Sequence, residues 1–588
     1  MKSGGACWRL AVLLVLAVVV SGSFTAAAEP ALTARLGLLA VEPGKGRGLV
    51  IYADLELYRG NGTVTVEPEG LVDEMLYIST KVAFYTASLL NLEPPGWFNL
   101  HVRIEADEQV GGPSASGFIA STVYDLLSGV YPLTNTTTMT GMVSLTGMVL
   151  NVAGVSEKVS AAEQQGFRVI LLPAGEAAGL QEGGRARVVP VCDILEAGAR
   201  LAGLPGGGWP ANKTLAPASD IARGKFLEAM RIFENYTRRL LPLLPAASSS
   251  GIEERLRLAE RLAGESPYAA ASLAFSALYD AASMASRVHG FQAVERALGL
   301  NLSKAMADAE AAVERARSLV SGDSCDLWRL MALAAAAYRL HMAKVAEGRD
   351  DVLALVRALS AKLWADTVPS IEGPRISCDA ARSAARFIVE YAETGYRYLK
   401  LLAENQLIPA AANTTLGDWV RDARKALTEG DWVTAIGLSL YVISQAESIM
   451  STGAPASCAL RHAYSLASRL APYAAFPAAL FIGYAKAYME AGNAADRDAM
   501  VRFLSSAASS WVILEAAVEA AGKQLAGPAA PGAASGGAAG AGAAGAGGGA
   551  AASGPGAFDT YMLSLAVAAA AAAVSAASVR AARLREVV

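Results

Sequence analysis

Three short segments of the 588-residue chain carry the residues best suited to chemistry. Ser114 stands in Gly-Gly-Pro-Ser-Ala-Ser-Gly at 111–117, Thr140 in Met-Thr-Gly at 139–141, and Lys158 in Gly-Val-Ser-Glu-Lys-Val at 154–159. A serine hydroxyl is a weak nucleophile until a base takes its proton, and a lysine is such a base only while its amino group is neutral. Burial and the positive end of a helix both disfavour the ammonium form. Lys158 is expected in the first turn of a helix with Ser156 as N-cap, between Val155 and Val159. Ser114 is expected to open a second helix, so that the backbone N–H groups of Ser114 and Ala115 face a developing oxyanion. The four histidines, His101, His289, His341 and His462, fall in no HExxH or Cys/His ligand spacing. A zinc hydrolase and a His-based triad therefore lack support, and neither metal nor cofactor is expected.

The elements that must hold these residues follow from local pattern. Short β-branched runs at Leu49–Leu55, Thr63–Glu67, Leu100–Glu105, Met142–Val152, Arg168–Leu172 and Arg187–Val191 read as strands. Helical periodicity covers Glu69–Leu92, Ala115–Leu127, Ser156–Gln165 and Asp193–Leu201. Gly60-Asn61-Gly62 reads as a hairpin turn. From residue 216 to 525 Ala-rich amphipathic helices dominate, among them Cys325–Ala346, Cys378–Glu404, Asp431–Met450 and Cys458–Leu470. Gly430 falls at the bend of an expected helical hairpin over Asp418–Met450, and no fixed repeat period emerges.

Residues Leu100–Leu172, with the motifs around Ser114, Thr140 and Lys158 followed by Arg168-Val-Ile-Leu-Leu-Pro173, resemble the proteolytic domain of Lon-type peptidases. Gly70-Leu71, Val189-Pro190-Val191 and Asp193-Ile194-Leu195-Glu196 extend the resemblance over about residues 34–203. It implies Ser114 as nucleophile, Lys158 as general base and Thr140 as the group that orients the lysine. Two positions depart from the family: Gly111 replaces the acidic residue before Gly-Pro-Ser, and Met142 replaces the Glu after Met-Thr-Gly. No GxxxxGK[ST] loop occurs, so the expected activity is uncoupled from ATP. The overall plan is similar to secreted Lon-like serine proteases of archaea.

The ends suggest export. Residues 1–28 read as a signal peptide, an uncleaved anchor being the alternative. Residues 526–557 form a Gly/Ala-rich tether, 561–579 a transmembrane helix, and 580–588 a basic cytoplasmic tail; a soluble Ala-rich helix is the other reading of 561–579. Six of the eleven asparagines, Asn61, Asn135, Asn212, Asn235, Asn301 and Asn413, lie in Asn-x-Ser/Thr, an excess consistent with N-glycosylation. Cys192, Cys325, Cys378 and Cys458 permit two disulfides in any of three pairings, or remain buried thiols. A net charge of −4 without a basic stripe excludes nucleic acid as an expected partner.

The expected fold is thus an α+β Lon-type proteolytic domain at 29–205, then a mostly α-helical domain at 216–525 and a C-terminal transmembrane helix. The expected function is an ATP-independent Ser-Lys endopeptidase at the outer cell surface, acting on peptides or unfolded segments, with homo-oligomerisation implied by the resemblance. The competing reading is a degenerate or autoprocessing surface protein whose helical domain is a structural or binding module.

Overall fold

Alternation of apolar and polar residues builds the first layer. In β2 (Arg47–Arg59) the side chains of Ala53, Leu55 and Leu57 are buried, while Asp54, Glu56 and Tyr58 lie on the wetter face. β2 pairs antiparallel with β1 (Leu32–Glu42) and with β4 (Phe98–Ile104), and β3 (Val64–Glu67) joins β4 in parallel, giving the order β1-β2-β4-β3. The hairpin expected at Gly60-Asn61-Gly62 is therefore not formed: β2 and β3 flank β4 on opposite sides. The connecting bend is held instead by the Asn99 side chain, which accepts from the N–H groups of Asn61 (2.9 Å) and Thr63 (3.0 Å).

This computed structural model describes residues 31–42, 44–177, 184–204, 222–408, 416–470, 476–492 and 496–527. The signal at 1–28, the tether from 528 on, the 561–579 span, the basic tail, Asn212 and Asn413 lie outside the described residues.

A second, parallel sheet carries the site. β5 (Thr137–Met139), β8 (Val169–Pro173) and β9 (Arg187–Val191) align Met139 with Leu171 and Leu171 with Val189. The strand expected over Met142–Val152 is broken into β6 (Met142–Val143) and β7 (Val149–Leu150). Between them the chain turns back through Gly147, at φ +101°, where the Ser144 hydroxyl accepts from the Met148 N–H at 2.9 Å. Helix α1 (Glu74–Leu90) starts later than Glu69, because Asp73 is extended and its carboxylate takes the Leu76 N–H at 2.7 Å. Helices α2 (Ser116–Leu127), α3 (Val155–Gln164) and α4 (Ile194–Leu201) complete this half.

The remainder of the described chain is mostly helix, interrupted by a small ribbon that pairs Ser324–Asp326 with Arg375–Ser377. Helix α5 (Cys378–Glu404) runs against the first half. α6 (Leu416–Thr428), α7 (Trp432–Met450), α8 (Ala456–Leu470) and α9 (Arg497–Ala526) follow. The segment Trp432–Gly453 and helix α9 are long and apolar enough to cross a membrane, but they are 83% and 89% buried inside the protein. They are the core helices of this half.

The two halves share one apolar core, running from Leu55 and Phe84 through Leu145 to Tyr391, Ile443 and Leu514. Several polar groups buried in the seam are paired. The Tyr391 hydroxyl donates to the Leu145 carbonyl and meets the Thr86 hydroxyl, both at 2.6 Å. His462 of α8 bonds Asp193 through Nδ1 (3.0 Å) and the Thr146 carbonyl through Nε2 (3.1 Å), while Glu447 of α7 accepts the Thr146 N–H at 3.1 Å. Burial by itself would raise the Asp193 pKa, but the His462 hydrogen bond and charge bring it below its ordinary value.

The four cysteines adopt one of the three possible pairings: Cys192 with Cys458 across the seam, and Cys325 with Cys378 within the helical half. In the chain-entropy account, closing loops spanning 53 and 266 residues is worth about 4 and about 5.5 kcal/mol respectively. The sequon asparagines Asn61, Asn135, Asn235 and Asn301 are exposed. Asn301 also caps a helix, accepting the Lys304 N–H at 3.2 Å.

Candidate active site

The carboxyl end of the parallel sheet brings Thr140 together with the Ser114 loop. Thr140 and Gly141 follow β5 directly, and the Thr140 N–H donates to Leu171 of β8 at 3.2 Å. The Ser114 loop lies across this strand end. The Gly141 N–H donates to the Ser114 carbonyl at 2.9 Å, the Gly117 N–H returns a bond to the Gly141 carbonyl at 3.0 Å, and the Ser116 hydroxyl accepts the Val143 N–H at 2.9 Å. Only glycine fits at 117, since a Cβ there would stand 2.7 Å from the Gly141 oxygen.

Ser114 and Ala115 precede α2 rather than lying within it: the helix begins at Ser116, with Ala115 as its N-cap in αR geometry. Their backbone N–H groups find no carbonyl acceptor among the described residues. They are therefore available to an anion at the helix N-terminus.

Lys158 is placed by α3. The N-cap of this helix is Gly154 in the left-handed region (φ +69°), not Ser156 as the sequence pattern implied, and the Lys158 N–H closes the first turn on the Gly154 carbonyl at 3.0 Å. A Cβ at Gly154 would meet the Val41 side chain at 2.5 Å, so glycine both adopts this backbone and admits the β1 side chain. The lysine is 4% exposed. Burial pushes its pKa down to about 8, against the opposing pull of the Glu176 carboxylate. Glu176 follows β8 and is fixed by the Val152 N–H at 2.8 Å; its own pKa is raised, chiefly by burial.

Among the described residues neither the Ser114 hydroxyl nor the Lys158 amino group makes a hydrogen bond. The Thr140 hydroxyl donates to the Ser114 carbonyl at 3.4 Å instead of meeting the lysine. Thr140 therefore braces the Ser114 loop, a different contact from the one the family resemblance implied.

Two acidic residues not singled out in the sequence belong to this site. Glu176 is the charge facing Lys158. Asp73 accounts for the departure at Gly111: a Cβ there would lie 1.9 Å from Asp73 Oδ2, so this carboxylate fills the space a side chain at 111 would take. Asp73 accepts the Gly112 N–H at 3.1 Å and also caps α1, fastening the loop to that helix. Neither carried a local signature, because each reaches the site from a distant segment.

Residues 51–185 match the Lon protease (S16) C-terminal proteolytic domain, a span that contains Ser114, Thr140 and Lys158. This segment is similar to Lon protease 2 of Sorangium cellulosum (strain So ce56), 37% identical over 142 residues, which cover 23% of this chain and 17% of that protein. It is also similar to the peroxisomal Lon protease homolog 2 of Caenorhabditis briggsae, 32% identical over 136 residues covering 23% and 18%. Lon protease 2 of Bacillus subtilis (strain 168) is 32% identical over 79 residues, covering 13% and 14%. The aligned part thus spans under a fifth of the length of these relatives. The matches support a serine peptidase hydrolase.

The buried lysine has a consequence for stability. Between about pH 8, where folded Lys158 titrates, and 10.5, its ordinary value, the folded chain binds fewer protons than the unfolded one, so stability rises with pH through that window. Below pH 8 the ammonium is buried at a penalty of up to about 3 kcal/mol. Lys158→Met should therefore be more stable than the natural chain at pH 7, with the difference shrinking as pH rises towards 10. Denaturant titrations at several pH values check this; a constant difference would show that Lys158 is not desolvated.

Proposed function

We propose that this chain is an ATP-independent serine endopeptidase, with Ser114 as nucleophile and Lys158 as general base, acting on peptides or unfolded segments at the outer cell surface. The observation that carries the reading is the buried Lys158, its amino pKa lowered to about 8, within a segment that matches a Lon proteolytic domain. A lysine with that pKa is partly neutral at mildly alkaline pH and can accept a proton that a solvated lysine could not.

In the proposed reaction the neutral Lys158 amine takes the Ser114 hydroxyl proton as Oγ attacks the peptide carbonyl carbon. The carbonyl oxygen becomes an oxyanion facing the Ser114 and Ala115 N–H groups. The C–N bond then breaks, and the Lys158 ammonium gives its proton to the departing amine. Water, deprotonated by the same lysine, releases the acyl group and restores Ser114. Thr140 supports the loop through the Ser114 carbonyl.

The location is supported by the N-terminal apolar segment, the apolar stretch before the basic residues Arg580, Arg583 and Arg585, the exposed sequon asparagines and the two cysteine pairings. The lack of a phosphate-binding loop supports independence from ATP.

Casein degradation by the purified protein tests the chemistry. Activity should rise with pH to a midpoint near 8 and be indifferent to ATP. Ser114→Ala and Lys158→Arg should lose at least about 1000-fold, since guanidinium stays protonated and cannot take the serine proton. Full activity in a folded Lys158→Arg protein would remove the dyad.

Treating intact cells with an external protease tests the location. It should release the bulk of the chain and leave a small membrane fragment bearing the C-terminal arginines. Complete protection of the bulk would contradict the surface assignment.

A further inference from the structure

A cleft of about 1040 Å³ opens between α1 of the peptidase half and α5 and α6 of the helical half. Five cationic side chains, Lys81, Arg382, Arg386, Arg397 and Arg424, line it against two carboxylates, Glu390 and Glu393. The lining is positive, on a chain whose net charge is −4, although Glu74 and Asp379 stand beside two of its arginines. Four of the five cations have carboxylate partners: Arg397 bonds Glu74 at 2.9 Å, Arg424 bonds Glu393, Arg382 bonds Asp379 at 2.6 Å, and Lys81 lies 3.9 Å from Glu390. Arg386, exposed on α5, has no ion-pair partner among the described residues. Tyr77, 38% exposed, and Trp432 supply aromatic surface in the same walls.

The cleft is joined to the nucleophile loop. Tyr77 lies one helical turn, about 6 Å, from Asp73, whose carboxylate holds the Gly112 N–H two residues before Ser114. Arg397 is tied to Glu74, the first residue of α1. Between Arg382 and Arg397, α5 rises by roughly 22 Å, the length of about seven residues of extended peptide.

We propose that this cleft is a docking site for acidic, extended segments of the protein substrate, which it holds beside the Ser114 loop. The inference rests on the peptidase reading above and adds to it a preference for glutamate- and aspartate-rich chains. The Arg386 guanidinium, unpaired among the described residues, matches a substrate carboxylate in paired hydrogen bonds, the already paired arginines exchange partners with further acidic side chains, and the aromatic rings accept apolar side chains between them. Glu390 and Glu393 oppose a nucleic acid, whose charge repeats at every phosphate.

Binding and cleavage separate the two readings. A fluorescein-labelled 14-residue peptide of alternating Glu and small or aromatic residues is titrated with the Ser114→Ala protein, alongside a counterpart with Lys at every Glu. The acidic peptide should bind at least tenfold tighter than the basic one and weaken with added salt. Arg382→Glu/Arg386→Glu, both exposed positions, should lower its affinity about tenfold.

In the Ser114-intact enzyme the same pair of changes should raise KM for the acidic peptide and leave hydrolysis of a short uncharged peptide unchanged. Equal binding of both peptides, or no effect of the charge reversal, would overturn the docking site. Single-stranded DNA binding as tightly as the acidic peptide would overturn its assignment to protein segments. Failure to hydrolyse the short uncharged peptide would refute the peptidase reading alone, because the binding arm needs no catalysis.

Discussion

Water is kept from one amino group, and much of the peptidase half is arranged around that exclusion. Lys158 is held in place by α3, which packs on the β1–β2 hairpin so closely that a Cβ at Gly48 would stand 1.9 Å from the Glu157 carbonyl oxygen. Burial lowers its pKa, and Glu176 limits how far it falls. The balance matters: a fully solvated lysine would be protonated at neutral pH, whereas one buried without a nearby carboxylate would be a weaker base. The penalty is tolerable because the sheet ends, α1 and the helical half together form a large shared core.

The helical half does more than enlarge that core. Through Tyr391, Glu447 and His462 it grips residues 145 and 146, in the turn that leads away from Thr140 and Gly141. His462 is fully enclosed and bonded on both ring nitrogens, so its role is to fix the seam rather than to exchange protons with a substrate. The Cys192–Cys458 pair ties the chain just after β9 to α8 at the same place. Displacement of α7 and α8 would therefore pull on the segment that braces Ser114.

What was legible in the sequence was mostly local. The three motifs stand out because close backbone approach requires glycine beside the candidate residues, as Gly117 shows. Helix α5 matches its expected range Cys378–Glu404, because apolar spacing and the Ser377 cap agree. What failed depended on distant partners. The Gly60-Asn61-Gly62 bend has hairpin chemistry, but Asn99 on β4 captures it. β1 escaped notice because Leu36 to Leu39 are buried without alternation. Asp73, Glu176 and the His462 contacts become visible only when residues up to 316 apart in sequence are brought together.

The most direct test of the central claim is covalent labelling of Ser114 by a serine-directed fluorophosphonate, followed by mass spectrometry as a function of pH. The account predicts a single adduct on Ser114 whose rate of formation rises with a midpoint near pH 8. It also predicts loss of the adduct in Lys158→Arg while the fold is retained. A labelling rate that follows the titration of an ordinary solvated lysine, or one indifferent to Lys158, would contradict it.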